Sequence, residues 1–144
     1  MNNINFITAT TPKEIEECLK IRKIVFIEEQ NVPEETERDD YDAKAIHYLL
    51  KADGAPCATA RIVLTNKNTG KLGRVAVLKE YRGKGLGKVL TKKITEDVKN
   101  KGIKKLVTHS QTYITDFYAK IGFKKIGEEF FEADIPHYKM ILEF

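Results

Sequence analysis

The sequence predicts an α/β (α+β) fold, with strands and helices alternating in one continuous domain over residues 1–144. Three observations predict it. The β-branched apolar run Leu72-Gly73-Arg74-Val75-Ala76-Val77 reads as a buried strand. It feeds a glycine-studded loop, Arg82-Gly83-Lys84-Gly85-Leu86-Gly87, that opens directly into an amphipathic segment from Lys84 to Lys101. Further along the chain, apolar runs of strand length are separated by turn signals such as Asp53-Gly54.

The elements follow in order. Ile4 to Ala9 is a short strand. Thr11-Pro12-Lys13-Glu14 is a capping box, with Thr at the N-cap, Pro at the first helical position and Glu at the third. The helix it opens runs to about Phe26 or Gln30. Ile46 to Ala52 and Pro56 to Leu64 are strands joined by a hairpin at Asp53-Gly54, Asn66 to Gly70 is a turn, and Lys71 to Val77 is the next strand. In the helix after the glycine loop, Leu86, Val89, Leu90, Ile94 and Val98 share one face, and Gly102 ends it. Lys105 to His109 is a strand, Thr112 to Ile121 a short helix, and Phe123 to Phe131 and His137 to Phe144 the last two strands. Pro136 stands at a strand start, where no ladder donor is needed.

Composition narrows the function classes. The 144 residues suffice for one buried core. A net charge of +4 suits an anionic small ligand and falls short of the basic surface of a nucleic-acid binder. No apolar run reaches membrane-span length, and Met1-Asn2-Asn3-Ile4 lacks the charged start and apolar core of a signal sequence, so the expected location is cytoplasmic, off the membrane. Cys18 and Cys57 have no metal spacing and read as buried free thiols in a reducing compartment; no metal is expected.

A strand feeding glycines at a helix N-terminus is an anion site. First-turn N–H groups lack intrahelical partners, the helix dipole adds positive charge there, and glycines let a phosphate approach the backbone. Two common phosphate loops do not fit. A Walker loop needs a second glycine five residues beyond the first, where Lys88 and Leu90 stand, and the dinucleotide fingerprint needs glycine at Lys88. The pattern present is Arg-x-x-Gly-x-Gly, Arg82 through Gly87.

That loop resembles the coenzyme A pyrophosphate loop of the GNAT N-acetyltransferase superfamily, and Phe117-Tyr118-Ala119-Lys120-Ile121-Gly122-Phe123 resembles its second cofactor motif. The element order agrees over essentially the whole chain. Val25-Phe26-Ile27-Glu28-Glu29-Gln30, Asp39-Asp40, His47 and Ile135-Pro136-His137 resemble the ElaA-type branch. The resemblance implies the GNAT acyl-CoA N-acyltransferase fold, a mixed, mostly antiparallel splayed sheet flanked by helices. It further implies an N-acetyltransferase with acetyl-CoA as co-substrate. Val75, Ala76 and Val77 would offer backbone groups to pantetheine, with the Val77 N–H polarising the thioester carbonyl. The N–H groups of Gly83, Lys84, Gly85, Gly87 and Lys88 would surround the pyrophosphate, with Arg82 adding charge. Phe117 lies in the second motif, and Gln111 stands where the superfamily carries a cofactor-touching Asn. Tyr118 is the candidate general acid for the leaving thiolate; a core aromatic is the alternative.

For the amine side, α-helical projection puts Arg22 and Glu29 on the apolar face of the first helix, as a structural ion pair or as site groups. Glu29 is the first candidate base and His109, ending its strand beside the cleft, the second; His47 reads as a core histidine and His137 has no assigned role. The acidic run Glu34 to Asp40 reads as a solvated loop that would favour cationic amines if it covered the acceptor mouth. The expected partner is a small-molecule or peptide amine, and a homodimer is compatible with these features. With no cysteine placed as nucleophile, direct transfer in a ternary complex is expected. The alternative is a non-catalytic acyl-CoA-binding sensor on the same fold.

Overall fold

A computed structural model of the chain describes residues 3–144; Met1 and Asn2, the start of the segment read for a signal sequence, lie outside the described residues. Strand β1 is Ile4–Ala9. Thr11 then caps α1, Pro12–Arg22: its Oγ1 accepts from the Glu14 N–H at 3.2 Å, and Glu14 Oε1 accepts from the Thr11 N–H at 3.1 Å. The helix does not continue as an α-helix. From Lys23 to Glu29 it widens into a π-helical segment, whose i→i+5 bonds turn later side chains away from their α-helical positions. Glu34–Glu37 forms the short α2, and Asp40–Ala43 a 3-10 turn.

Strands β2, Ile46–Ala52, and β3, Ala55–Asn66, meet at Asp53-Gly54, whose φ values of 49° and 84° are the positive pair of a type I′ hairpin. Next come β4, Thr69–Val77, helix α3, Leu86–Asn100, and β5, Lys105–Gln111. The helix expected at Thr112 to Ile121 is a 3-10 turn, Thr112–Ile114, running into the short α4, Thr115–Ala119. Strands β6, Lys124–Glu132, and β7, Ile135–Glu143, form the last hairpin. The seven strands make one sheet in the order β1-β2-β3-β4-β5-β7-β6. Every neighbouring pair is antiparallel except β4–β5, which α3 links as a parallel crossover.

Helices cover both faces. On one face α3 buries Leu86, Leu90, Ile94 and Val98 against Leu50, Ile62, Leu72 and Leu106, each side chain contributing roughly 1.5–3 kcal/mol. On the other, Cys18 and Ile21 of α1 and Val25 of the π segment pack on Ala9, Leu49 and Ala76.

The acidic run is solvated only in part: Glu34, Glu35 and Asp40 are exposed. Glu37, Asp39 and Asp42 turn inward onto three arginines of the α1 face, Arg22, Arg61 and Arg74. Arg22 is almost wholly buried and donates to Glu37 Oε2 at 2.8 Å, to the Glu37 carbonyl at 3.0 Å, and to both Asp42 oxygens at 2.8 and 3.0 Å. Arg61 reaches Asp39 at 2.7 and 2.9 Å and Asp42 at 2.6 Å. Three guanidinium groups against three carboxylates leave the cluster neutral, which lets it be buried. His47 Nε2 lies 2.8 Å from the Asp42 carbonyl, so it braces the same turn.

These pairs make stability depend on acid. The Arg61 hydrogen bond holds Asp39 below its usual carboxylate range. Burial alone would raise Asp42, but the hydrogen bonds from Arg22 and Arg61 outweigh it and hold Asp42 far below the ordinary 3.8. Depressed folded-state values mean that the stabilisation is present above the unfolded value and lost as pH falls through the folded one. The melting temperature is therefore expected to drop once the pH goes below about 4, and Asp42→Asn should flatten that limb. A melting profile of Asp42→Asn with the acid limb of the wild type would contradict this assignment.

Candidate active site

The sheet opens at its middle. The β4–β5 ladder runs only from Thr69/Lys105 to Leu72/Thr108. Thr108 Oγ1 donates to the Leu72 carbonyl at 3.0 Å and closes the last rung. Beyond it the strands part. Arg74, with φ 54°, sits in a bulge of β4 where Ala60 of β3 has no partner between the Thr59–Ala76 and Arg61–Gly73 pairs. On the far side of the bulge, Leu78 N–H donates to the Cys57 carbonyl at 2.9 Å beside the Val77–Ala58 pair. Antiparallel alternation then turns the N–H and C=O of Val77 to the open edge, with those of Val75, and turns those of Ala76 to β3. Ala76 thus offers no backbone group to a ligand, a correction to the three-residue expectation.

The glycine loop borders this edge. Gly83 and Gly85 both have φ 78°, and a Cβ on either would meet nothing within 4 Å, so the loop is an open cradle. Gly85 is the N-cap of α3 and supplies no side-chain cap, which leaves the first-turn N–H groups to an outside acceptor. The residues fit a phosphate. Lys84 and Lys88 are exposed beside it, with Lys84 Nζ also 5.9 Å from the centre of the Tyr81 ring. Gly87 differs from the other two. A Cβ there would make ordinary contact with Phe117 and Val77 Cγ2, each at 3.5 Å, so what Gly87 offers a ligand is its first-turn N–H and not open space.

Arg82 has two partners: its Nε donates to the Val77 carbonyl at 2.9 Å, and its Nη2 meets Glu29 at 3.0–3.1 Å. Glu29 therefore pairs with the glycine loop and not with Arg22, whose partners are Glu37 and Asp42. The π segment is the physical reason, because the α-helical projection that aligned residues 22 and 29 fails once the turn widens.

Tyr118 lies on the α3 face. Its ring is packed edge-on against Phe117 and Phe123 at centroid distances of 5.0 and 5.6 Å. Burial pushes its hydroxyl up to about 12, with the neighbouring Thr108 hydroxyl acting in the opposite direction. A phenol so held stays protonated at neutral pH and can donate to charge that develops in the cleft.

A cleft of about 420 Å³ spans the opening, with Tyr118, Val75, Gln111 and His109 among its lining residues. Glu29 is not among them. Because Leu106 packs toward α3, alternation along β5 places Thr108 on the Tyr118 side and His109 and Gln111 on the α1 side. The two candidate proton groups thus face the opening from opposite sides of the sheet. The segment around Glu37 does border the cleft, but its carboxylates are spent on the arginines.

The lining residues that escaped the sequence reading include Arg74 and Glu132. Arg74 is recognisable only once the β4 bulge is known. Glu132 needs the register of the last hairpin, whose turn residues Ala133 and Asp134 have φ 52° and 62° without being glycine. Among the described residues no group of three or more His, Cys, Asp or Glu is arranged to hold a metal ion, and no helix is long and apolar enough to cross a membrane.

An open-edged central strand, a glycine-lined helix N-terminus and a motif tyrosine across the gap define an acyltransferase architecture. Residues 11–144 match the acetyltransferase (GNAT) domain family, and the chain belongs to that family. Bacillus subtilis YyaT is 38% identical over 143 residues, covering 97% of this chain and 96% of its own. Escherichia coli ElaA shares the fold with a TM-score of 0.86 and 26% identity, covering 99% of this chain and 100% of its own. A GNAT family acetyltransferase from Elizabethkingia anophelis, solved with acetyl-CoA bound, superposes with a TM-score of 0.74 at 19% identity over the whole of both chains.

Proposed function

We propose that the protein is an acetyl-CoA-dependent N-acetyltransferase acting on a primary amine of a small molecule or peptide. The observation that carries this reading is the uncapped start of α3 at Gly85, placed beside the open backbone edge at Val77 and across the gap from Tyr118. Acetyl-CoA, when bound, supplies an activated thioester. The chain does the rest. The N–H groups of Gly83, Lys84, Gly85, Gly87 and Lys88 hold the pyrophosphate. Val75 and Val77 receive pantetheine as an added strand, and the Val77 N–H stabilises charge on the reacting carbonyl oxygen. Phe117 and Gln111 border the cofactor arm, Tyr118 protonates the departing sulfur, and His109 takes the amine's proton from the other side of the sheet.

Direct transfer is part of the reading. Cys18 and Cys57 are fully buried, burial raises both thiols, and their sulfurs donate to the carbonyls of Tyr48 and Leu50. The same two free thiols support a reducing, cytoplasmic setting.

The test is thiol release from acetyl-CoA in the presence of polyamines, amino sugars, amino acids and peptide N-termini, alongside calorimetry with coenzyme A, ATP and NAD. Coenzyme A binding without turnover of any amine would favour the sensor. ATP or NAD binding without coenzyme A binding would sink both readings. Gly85→Val is expected to weaken coenzyme A binding by roughly 10- to 100-fold, because a β-branched residue at this positive φ carries a strain of about 1–3 kcal/mol. Gly87→Ala should have the smaller effect, and the reverse order would show that the cradle is misassigned.

Glu29→Gln separates its two roles. As the partner of Arg82 in an exposed pair, Glu29 contributes less than about 1 kcal/mol. The substitution should leave stability and the acidic limb of the pH–rate profile in place while freeing Arg82 for a phosphate, so coenzyme A affinity holds or rises. Loss of the acidic limb would return the base role to Glu29.

A further inference from the structure

The last hairpin brings Glu132 and His137 to His109 at the α1-side mouth of the cleft, with Phe130 packed on both imidazoles. By register, Gln111 lies opposite His137, Phe130 opposite His137, and Glu132 opposite Ile135, so these residues share the face that carries His109. His109 Nδ1 lies 3.2 Å from Glu132 Oε1, and His137 Nε2 lies 3.7 Å from Glu132 Oε2. Phe130 stands between the two imidazoles, edge-on to His109 at 5.1 Å and stacked on His137 at 5.9 Å.

The hydrogen bonds fix where protons and lone pairs sit. His137 Nδ1 is 2.7 Å from the Ile135 carbonyl, which can only accept, so Nδ1 carries the hydrogen. In the neutral ring Nε2 is then a bare acceptor facing a carboxylate oxygen. His109 Nδ1 donates to Glu132, which leaves its Nε2 as a second bare acceptor. The Glu132 carboxylate, the Nε2 lone pair of His137 and the Phe130 ring lie together here, with the His109 lone pair on the far side of its ring, and all three favour a cation with N–H donors. The chain's own cations do not fill it. Arg74 is engaged by Glu37 and Asp39, and Lys139, opposite His109 in the ladder, is exposed and not among the residues lining the cleft. Lys71 lines the cleft further along β4, beside Val107.

We propose that His109, Phe130, Glu132 and His137 form the acceptor subsite, and that it takes an alkylammonium. Glu132 and Nε2 of His137 hold the charged nitrogen beside the ring of Phe130, and the amine gives up its proton as it passes to Nε2 on the other side of the His109 ring. The chemistry of this step rests on the acetyltransferase reading; the binding does not. The ammonium gives one proton to His109, whose imidazolium Glu132 stabilises and which passes it to solvent. The freed lone pair forms the C–N bond as the C–S bond breaks. The sulfur leaves with the Tyr118 proton, and the second proton shed by the nitrogen restores Tyr118, so one proton reaches solvent per turnover.

The probe is n-butylammonium, with n-butanol as its neutral counterpart. In proton–carbon NMR spectra of the histidine rings at constant pH, butylammonium is expected to shift the signals of His109 and His137 and leave those of His47 in place. Butanol should move none. Glu132→Gln should weaken the butylammonium response by about tenfold, as loss of a charge-assisted hydrogen bond does, and should raise KM for any amine substrate while coenzyme A affinity is unchanged. No ring shifts with butylammonium, or equal shifts in Glu132→Gln, would overturn the subsite. Ring shifts that persist in a protein without coenzyme A affinity would sink the acetyltransferase reading and keep the subsite.

Discussion

Arg22→Met is expected to destabilise the protein by about 3–5 kcal/mol, the cost typical of breaking a buried ion pair from one side. The guanidinium is 1% exposed and makes four hydrogen bonds, to both Asp42 oxygens and to the carboxylate and carbonyl of Glu37. Glu37 keeps only a 3.3 Å contact from Arg74, and its second oxygen is already buried without a hydrogen bond. Asp42 retains Arg61, so the damage concentrates on Glu37. Lysine cannot replace the planar fork that serves two carboxylates at once. Adding Glu37→Gln to Arg22→Met should recover part of the loss, with a coupling of about 0.5–3 kcal/mol in urea unfolding. A single-variant loss below about 1 kcal/mol would show that the cluster positions the loop without stabilising it.

That cluster also shows where sequence reading stops. Local signals were legible because they act within one turn. The Thr11 capping box, the Asp53-Gly54 hairpin, the Leu86-Leu90-Ile94-Val98 stripe and the strand–glycine–helix unit each fold as their residues dictate. Glu34 to Asp40 read as solvent-exposed because its three partners are distant in sequence, and no local pattern announces that Arg61 and Arg74 will face it from β3 and β4. Glu29 was misaligned with Arg22 because i→i+5 turns have no compositional signature. The Ala133-Asp134 turn hid for a similar reason: positive φ there is borne by residues other than glycine, and with it went the register that brings Glu132 to His109. Within the site, the glycine loop and Tyr118 were visible through motif spacing. Which edge of β4 is open at Val77 required the β3 pairing.

Tyr118→Phe is expected to lower turnover by about 10²-fold or more while coenzyme A affinity stays within about twofold, as removal of a positioned proton donor does. The substitution deletes one oxygen and keeps the ring, so the edge-on contacts with Phe117 and Phe123 survive. Thr108 keeps its bond to the Leu72 carbonyl, so the last rung before the opening stays closed. Stability should change by no more than about 1 kcal/mol, the net worth of an ordinary hydrogen bond. With its hydroxyl raised to about 12 by burial, Tyr118 is neutral throughout the working pH range. It therefore acts as a donor, and any alkaline fall in rate below about pH 11 must belong to another group. Single-turnover measurements, in which product release does not mask the chemical step, are the appropriate assay. Unchanged single-turnover rates in Tyr118→Phe would return this side chain to the aromatic core, and the departing sulfur would then need a proton from water at the open edge of β4.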